Sequence, residues 1–220
     1  LLRTLEVQAI QDVTIMAMTS LAETRDNETG NHIRRIQLYV KALAERLRNH
    51  PRFEAVLNER MIELLYKSAP LHDIGKIGIP DSILLKPGKL TVEEFEVMKT
   101  HTTLGRKAIE DAERRLGMRV AFLSVSKEIA YSHQEKWDGS GYPQGLAGDQ
   151  IPVSARLMAV ADVYDALINK RVYKAAFSHD QTCSTIVKGK GTHFDPDMVD
   201  AFVDIAEDFR SIALKYPDPE

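Results

Sequence analysis

Apolar residues recur every three or four positions along most of this chain, and strict alternation is nearly absent. That pattern buries one stripe on each of several helices and leaves a sheet little to build on. The clearest stretch is Ile33, Ile36, Val40, Leu43 and Leu47, with Asn31 as a candidate cap and Pro51 beyond its end. Leu5, Ala9, Val13 and Met16 mark an opening helix without an evident cap. Leu57, Met61, Leu64 and Leu65 mark a third helix over about 54–69. Thr91-Val-Glu-Glu94 reads as a capping box, which predicts a helix through about Ala108. Further helices fit about 120–132, 154–168, 179–187 and 197–210. Residues 74–90 hold three Gly and two Pro, and residues 136–152 hold four Gly and two Pro, so both are expected as loops. The fold class expected is all-α.

Composition narrows the function. With 220 residues, 44% hydrophobic and 28% charged, the chain can build one core without staples. Cys183 is the single cysteine, which excludes an internal disulfide and a Cys-rich zinc site and suits a reducing compartment, here expected to be the cytoplasm. A net charge of -3 gives no reason to expect binding to duplex nucleic acid. No apolar run approaches the roughly 20 residues a membrane span needs. The first residue is Leu, so a fragment or processed chain is expected. No internal repeat and no long linker divides the chain.

His72-Asp73, followed by Gly75-Lys76, carries the chemistry. Imidazole and carboxylate suit a divalent transition metal, and one carboxylate can bridge two ions about 3.5–4 Å apart. Taken alone, a His-Asp pair is as well explained as a helix-end cap. His32, His101 and His133 lie far apart in stretches otherwise patterned for packing. Asp162 sits in the apolar run Ala-Val-Ala-Asp-Val-Tyr-Asp-Ala-Leu, where an acid needs a counter-charge, from a metal or from a salt bridge.

Together these blocks resemble the HD-GYP domain, a branch of the HD superfamily of metal-dependent phosphohydrolases. The resemblance runs from about residue 20 to 205. It rests on Glu23-Thr-Arg-Asp-Asn-Glu-Thr-Gly-Asn-His32, His72-Asp-Ile-Gly-Lys-Ile-Gly-Ile-Pro-Asp81 and Met98-Lys-Thr-His101. It continues through His133-Gln-Glu-Lys-Trp-Asp-Gly-Ser-Gly-Tyr-Pro143, Ala161-Asp-Val-Tyr-Asp-Ala-Leu167, Arg171-Val-Tyr-Lys174 and Gly191-Thr-His-Phe-Asp-Pro196. The ordered set, with Gly-Tyr-Pro at 141–143, is highly specific.

The resemblance implies a helical bundle with irregular loops around a central metal site, and hydrolysis of cyclic di-GMP to pGpG and then GMP. It implies one metal on His32, His72, Asp73 and Asp162, and a second on Asp73, His101 and His133. Some family members hold a third ion through a Glu and a second His. Glu28 matches that Glu, but Gln134 stands where the His would be, and an amide oxygen is a poor substitute. Two divalent ions are therefore expected, of iron, manganese, nickel or zinc, with Glu28 beside them or only a weak ligand.

Lys76 is matched to a phosphate ligand or proton donor, and Asp26 to an acid that orients water or shuttles a proton. Arg171 and Lys174 are matched to the second phosphate of the substrate, where a guanidinium grips with two parallel bonds. Tyr142 offers a face for guanine as well as a pin for its loop, and Trp137 is read as a pin alone. His50, His179 and His193 match no ligand position. Residues 1–21 are expected to form a leading helix, either a first core helix or a connector to an upstream sensory or receiver domain that also pairs subunits. Residues 22–212 form the catalytic domain and 213–220 a frayed tail. The rival readings are a nucleotide-binding module with little activity, favoured by Gln134, and an enzyme preferring linear pGpG.

Overall fold

A computed structural model describes residues 10, 13–22, 25, 30–169 and 176–218. Among them only isolated bridges, Asp138 with Ala147 and Lys190 with Phe194, interrupt a helical architecture. The expected all-α class holds.

Helix α1, Gly30–Leu47, lies at the centre. Ile36, Tyr39, Val40, Leu43 and Leu47 form its buried stripe, spaced as the periodicity predicts. Asn31 is no cap. It lies inside the helix, and its side-chain amide donates to the Pro217 carbonyl at 2.5 Å. Helix α2, Glu59–Ser68, starts later than expected because Asn58 caps it, accepting from the Met61 amide at 3.0 Å. Residues 51–56 are turns.

Two 3-10 turns follow, Ala69–Leu71 and Ile74–Gly78, and then a single turn of helix, α3, Asp81–Leu84. The capping box of Thr91 and Glu94 opens α4, Val92–Lys99, as read. The expected single helix then breaks at Thr100, and α5, His101–Leu116, runs on to a left-handed Gly117 with φ 71°. Helix α6 spans Ala121–Ser132 and α7 spans Val153–Ile168. Helix α7 is buried on nearly every side from Ser154 to Ala161, which is why its sequence looks apolar all round. Helix α8, His179–Lys188, precedes α9, Pro196–Asp204, and α10, Ala206–Lys215. The last two were expected as one helix and are parted at Ile205.

Tyr39 stacks on Phe209, and Tyr164 and Phe202 meet them edge-on, where α1, α7, α9 and α10 come together. The segment after α10 is not frayed through residue 218. Tyr216 lies under Arg34, and its carbonyl accepts from Arg35 at 2.7 Å. Residues 13–22 are helical, yet Val13, Met16, Met18 and Leu21 are exposed, so this stretch is not a packed core helix. Leu5 and Ala9 lie outside the described residues.

Candidate metal centre

The first ligand pair arises from a close backbone approach. Gly75 sits so near α5 that a Cβ would fall 1.9 Å from the His101 carbonyl oxygen. Only glycine lets the His72-Asp73 turn rest against the first turn of that helix. His133 ends α6 on the next helix, while α1 and α7 bring His32 and Asp162 from the other side. Six residues expected as ligands therefore meet. His32, His72 and Asp162 form one group and Asp73, His101 and His133 another, each with ligand atoms within 4.8 Å of one another.

Each imidazole is aimed by its other nitrogen. The Nδ1 atoms of His72, His101 and His133 lie 3.0, 2.8 and 3.0 Å from the carbonyls of Ala69, Met98 and Ile129. A carbonyl only accepts, so Nδ1 carries the proton and Nε2 turns a lone pair inward. His32 does the same through the Asp165 carboxylate, at 2.8 Å. Such outer partners are how metal-binding histidines are oriented.

The inward atoms crowd. His101 Nε2 and His133 Nε2 are 3.5 Å apart. Asp73 Oδ1 stands 3.3 and 3.4 Å from them, and Oδ2 stands 3.3 Å from His72 Nε2. His72 Nε2 and Asp73 Oδ1 are buried without a hydrogen bond. Facing lone pairs and an anionic oxygen in a buried space call for a cation, so the donor set fits divalent metal. Asp73, facing both groups, is placed to serve both.

Electrostatics agree. Burial opposes the Asp73 charge, but Lys76 and His72 outweigh it and hold its pKa well below the usual carboxylate range. Lys76 Nζ reaches Asp73 Oδ2 at 2.8 Å. Burial, helped by His133, pushes His101 down to about 4 despite Asp73, so it is neutral near pH 7 and ready to bind. Burial also disfavours the His72 imidazolium, but Asp73 more than offsets this and raises its pKa.

The Gly-Tyr-Pro loop forms one rim. The Tyr142 ring lies 6.3 Å from that of His101, edge on, and burial together with Asp73 and Asp162 raises its phenol, which stays neutral. A Cβ on Gly141 would meet the Lys136 amide nitrogen at 2.3 Å, so the loop closes only on glycine. Trp137 pins the loop as expected, with the Arg52 and Arg156 guanidinium groups 5.5 and 5.7 Å from its ring. Glu135, which sequence reading passed over, is buried and accepts the amides of Gln144 at 2.7 Å and Leu146 at 3.0 Å. Asp165 and Arg35 were also missed. Their only signal was spacing, one helical turn beyond Asp162 and His32.

The remaining histidines stay out of both groups. His50 accepts from the Arg52 amide, His179 bonds to the Tyr164 hydroxyl and His193 stacks on Phe194. Asp26, Glu28, Arg171 and Lys174 lie outside the described residues.

Comparison with known proteins places the fold and the family. A cyclic di-GMP phosphodiesterase of Vibrio cholerae is 59% identical over 97% of this chain, which spans 43% of that relative's length. Two solved structures share the fold at 20% identity. A protein of Bdellovibrio bacteriovorus described as HDG"Y"P matches 82% of this chain and 54% of its own, with a TM-score of 0.57. A cyclic GMP-AMP specific phosphodiesterase of Vibrio cholerae matches 92% and 50%, with a TM-score of 0.59. Among the described residues no helix is long and apolar enough to cross a membrane. A model of the HD domain matches residues 16–198, and on that match over most of its length this chain belongs to the HD domain family.

Proposed function

We propose that residues 22–212 form a metal-dependent phosphodiesterase that opens cyclic di-GMP to pGpG and, by a second cut, releases GMP. The observation that carries this reading is the buried meeting of two His/Asp groups at Asp73, with Lys76 at the edge. The name of the 59% identical relative supports the substrate. The donor set suits two ions of iron, manganese, nickel or zinc. His32, His72 and Asp162 would hold one, His101 and His133 the other, and Asp73 both. When bound, such a pair polarises phosphate oxygens and lowers the pKa of water toward neutrality.

The chain's own residues supply position and charge. The four Nδ1 hydrogen bonds keep the Nε2 atoms aimed inward, so little reorganisation is needed at the moment of reaction. Lys76, held at Asp73, meets a phosphate oxygen or gives a proton to the departing ribose 3′ oxygen. Tyr142 offers a neutral ring at the rim for guanine to stack on. By the sequence match, Asp26 orients water, and Arg171 and Lys174 bind the second phosphate. By the same match Glu28 is an outer acceptor or a weak ligand rather than part of a third metal site, because Gln134 offers no imidazole.

We place the enzyme in the cytoplasm, as the unpaired Cys183 supports. Residues 1–21 serve as a connector to an upstream sensory or receiver domain and as a surface for a homodimer. The exposed Val13, Met16, Met18 and Leu21 support that role.

The test is to strip the protein of metal, reload it with each ion in turn, add cyclic di-GMP and separate the products by chromatography. Conversion to pGpG with at least one ion is expected, at a metal content near two per chain. Intact substrate with every ion overturns the reading and favours the nucleotide-binding module to which Gln134 points. Faster cleavage of added pGpG than of the cyclic compound would shift the preferred substrate to the linear form.

A further inference from the structure

His32 is aimed differently from the other three imidazoles, and the difference leads away from the site. Its Nδ1 donates to Asp165 Oδ2 at 2.8 Å, where the others donate to backbone carbonyls. Asp165 is 2% exposed. Arg35, 1% exposed, grips it with two bonds, Nε to Oδ1 at 2.6 Å and Nη2 to Oδ2 at 2.9 Å. The rest of the guanidinium faces the segment after α10. Nη1 donates to the Tyr216 carbonyl at 2.7 Å and to Asp218 Oδ1 at 2.8 Å, and Nη2 reaches Asp218 Oδ2 at 3.3 Å.

The wiring follows from helix geometry. His32 and Arg35 are one turn apart on α1, as are Asp162 and Asp165 on α7, so packing the two helices crosses the pairs. A carboxylate behind an imidazole fixes the ring and raises the basicity of the far nitrogen, which a neutral carbonyl does less well. The buried Asp165 charge depends on Arg35 for compensation, and the planar fork of Arg35 is held flat by acceptors on both sides.

We propose that Asp165 is a positioning residue for His32, and that residues 216–218, acting through Arg35, set how tightly the His32/His72/Asp162 group holds its ion. This rests on the two-metal reading. Among the described residues the hydrogen bonds that aim His101 and His133 stay within their own chain segments, so the two ions should respond unequally, joined only through Asp73.

Mn2+ is titrated into metal-free wild type, Asp165→Asn and Asp218→Asn, with bound metal measured after dialysis. Co2+ spectra then report each ion's surroundings. Wild type should take two ions. Asp165→Asn should bind one of them about ten- to a hundredfold more weakly and the other within about threefold of wild type, with the Co2+ bands of the weakened ion lost first. Asp218→Asn should weaken that same ion about two- to fivefold, since it loosens Arg35 and spares Asp165. A merely structural Asp165 would loosen both ions equally, and that result overturns the proposal. So does wild-type affinity for both ions in Asp165→Asn. Should that variant fail to fold, unchanged affinity in Asp218→Asn overturns it instead. If wild type binds no metal, the two-metal reading falls as well, whereas two ions held tightly in every variant defeat this inference alone.

Discussion

The two halves of the metal centre reach the same end by different means. His32 and Asp162 stand on α1 and α7, long helices whose other faces form the core, and His32 is aimed by a buried side-chain ion pair. His101 and His133 stand at the start of α5 and the end of α6 and are aimed by carbonyls three and four residues before them. The first half depends on residues more than a hundred positions apart. The second depends on local backbone and on Gly75, which lets the His72-Asp73 turn approach. The first half is thus open to tuning by distant side chains, while the second is set once its helices form.

Asp73 is where the halves join, so its loss is the largest change that can be made. Asp73→Ala removes the carboxylate that faces His72 on one side and His101 and His133 on the other. Turnover of cyclic di-GMP should vanish, and metal content should drop at both sites. Near-normal activity and two bound ions would mean that the halves do not share this residue.

Acid should separate the halves next. His101, held at about 4 against an ordinary 6.5, binds fewer protons folded than unfolded between those values. Stability therefore rises with pH across that window and is lost as pH falls through it. The full swing is about 3 kcal/mol at ~1.4 kcal/mol per unit. The raised pKa of His72 acts the opposite way, giving stability below about 6.5 that is lost as pH rises through its folded value. Urea unfolding of metal-free protein at pH 7 and pH 4 checks this. His101→Gln should shrink the difference between the two pH values by about 3 kcal/mol. An equal acid loss in wild type and variant would show that His101 is not the group whose protonation costs stability.

The contrast also explains what could be read beforehand. His72, His101 and His133 sit in short ordered blocks, and their outer partners are carbonyls that any chain supplies. No side chain was needed to foresee them. Asp165 and Arg35 gain meaning only when α1 and α7 pack, which no single stretch records. Helix stripes were legible because one-sided burial leaves a period, as from Ile33 to Leu47. The breaks at Thr100 and Ile205 were not, because neither carries Gly or Pro. The anchoring of residues 216–218 was hidden for the same reason as Arg35: its partner lies 181 positions away.

The smallest effect expected is at His193, which tests whether a histidine outside both halves matters. Its ring stacks on Phe194 with centroids 4.2 Å apart, and burial together with Lys136 lowers its pKa. Its link to the Gly-Tyr-Pro loop is through the main chain, where its carbonyl accepts the Trp137 amide at 3.1 Å. His193→Ala keeps that carbonyl and gives up one ring contact, a cost of about 1 kcal/mol in stability. Turnover and metal content should stay within about twofold of wild type, a shift in barrier below ~0.5 kcal/mol. A tenfold loss of turnover with both ions retained would show the imidazole itself at work on the substrate, and the centre would then have a third side.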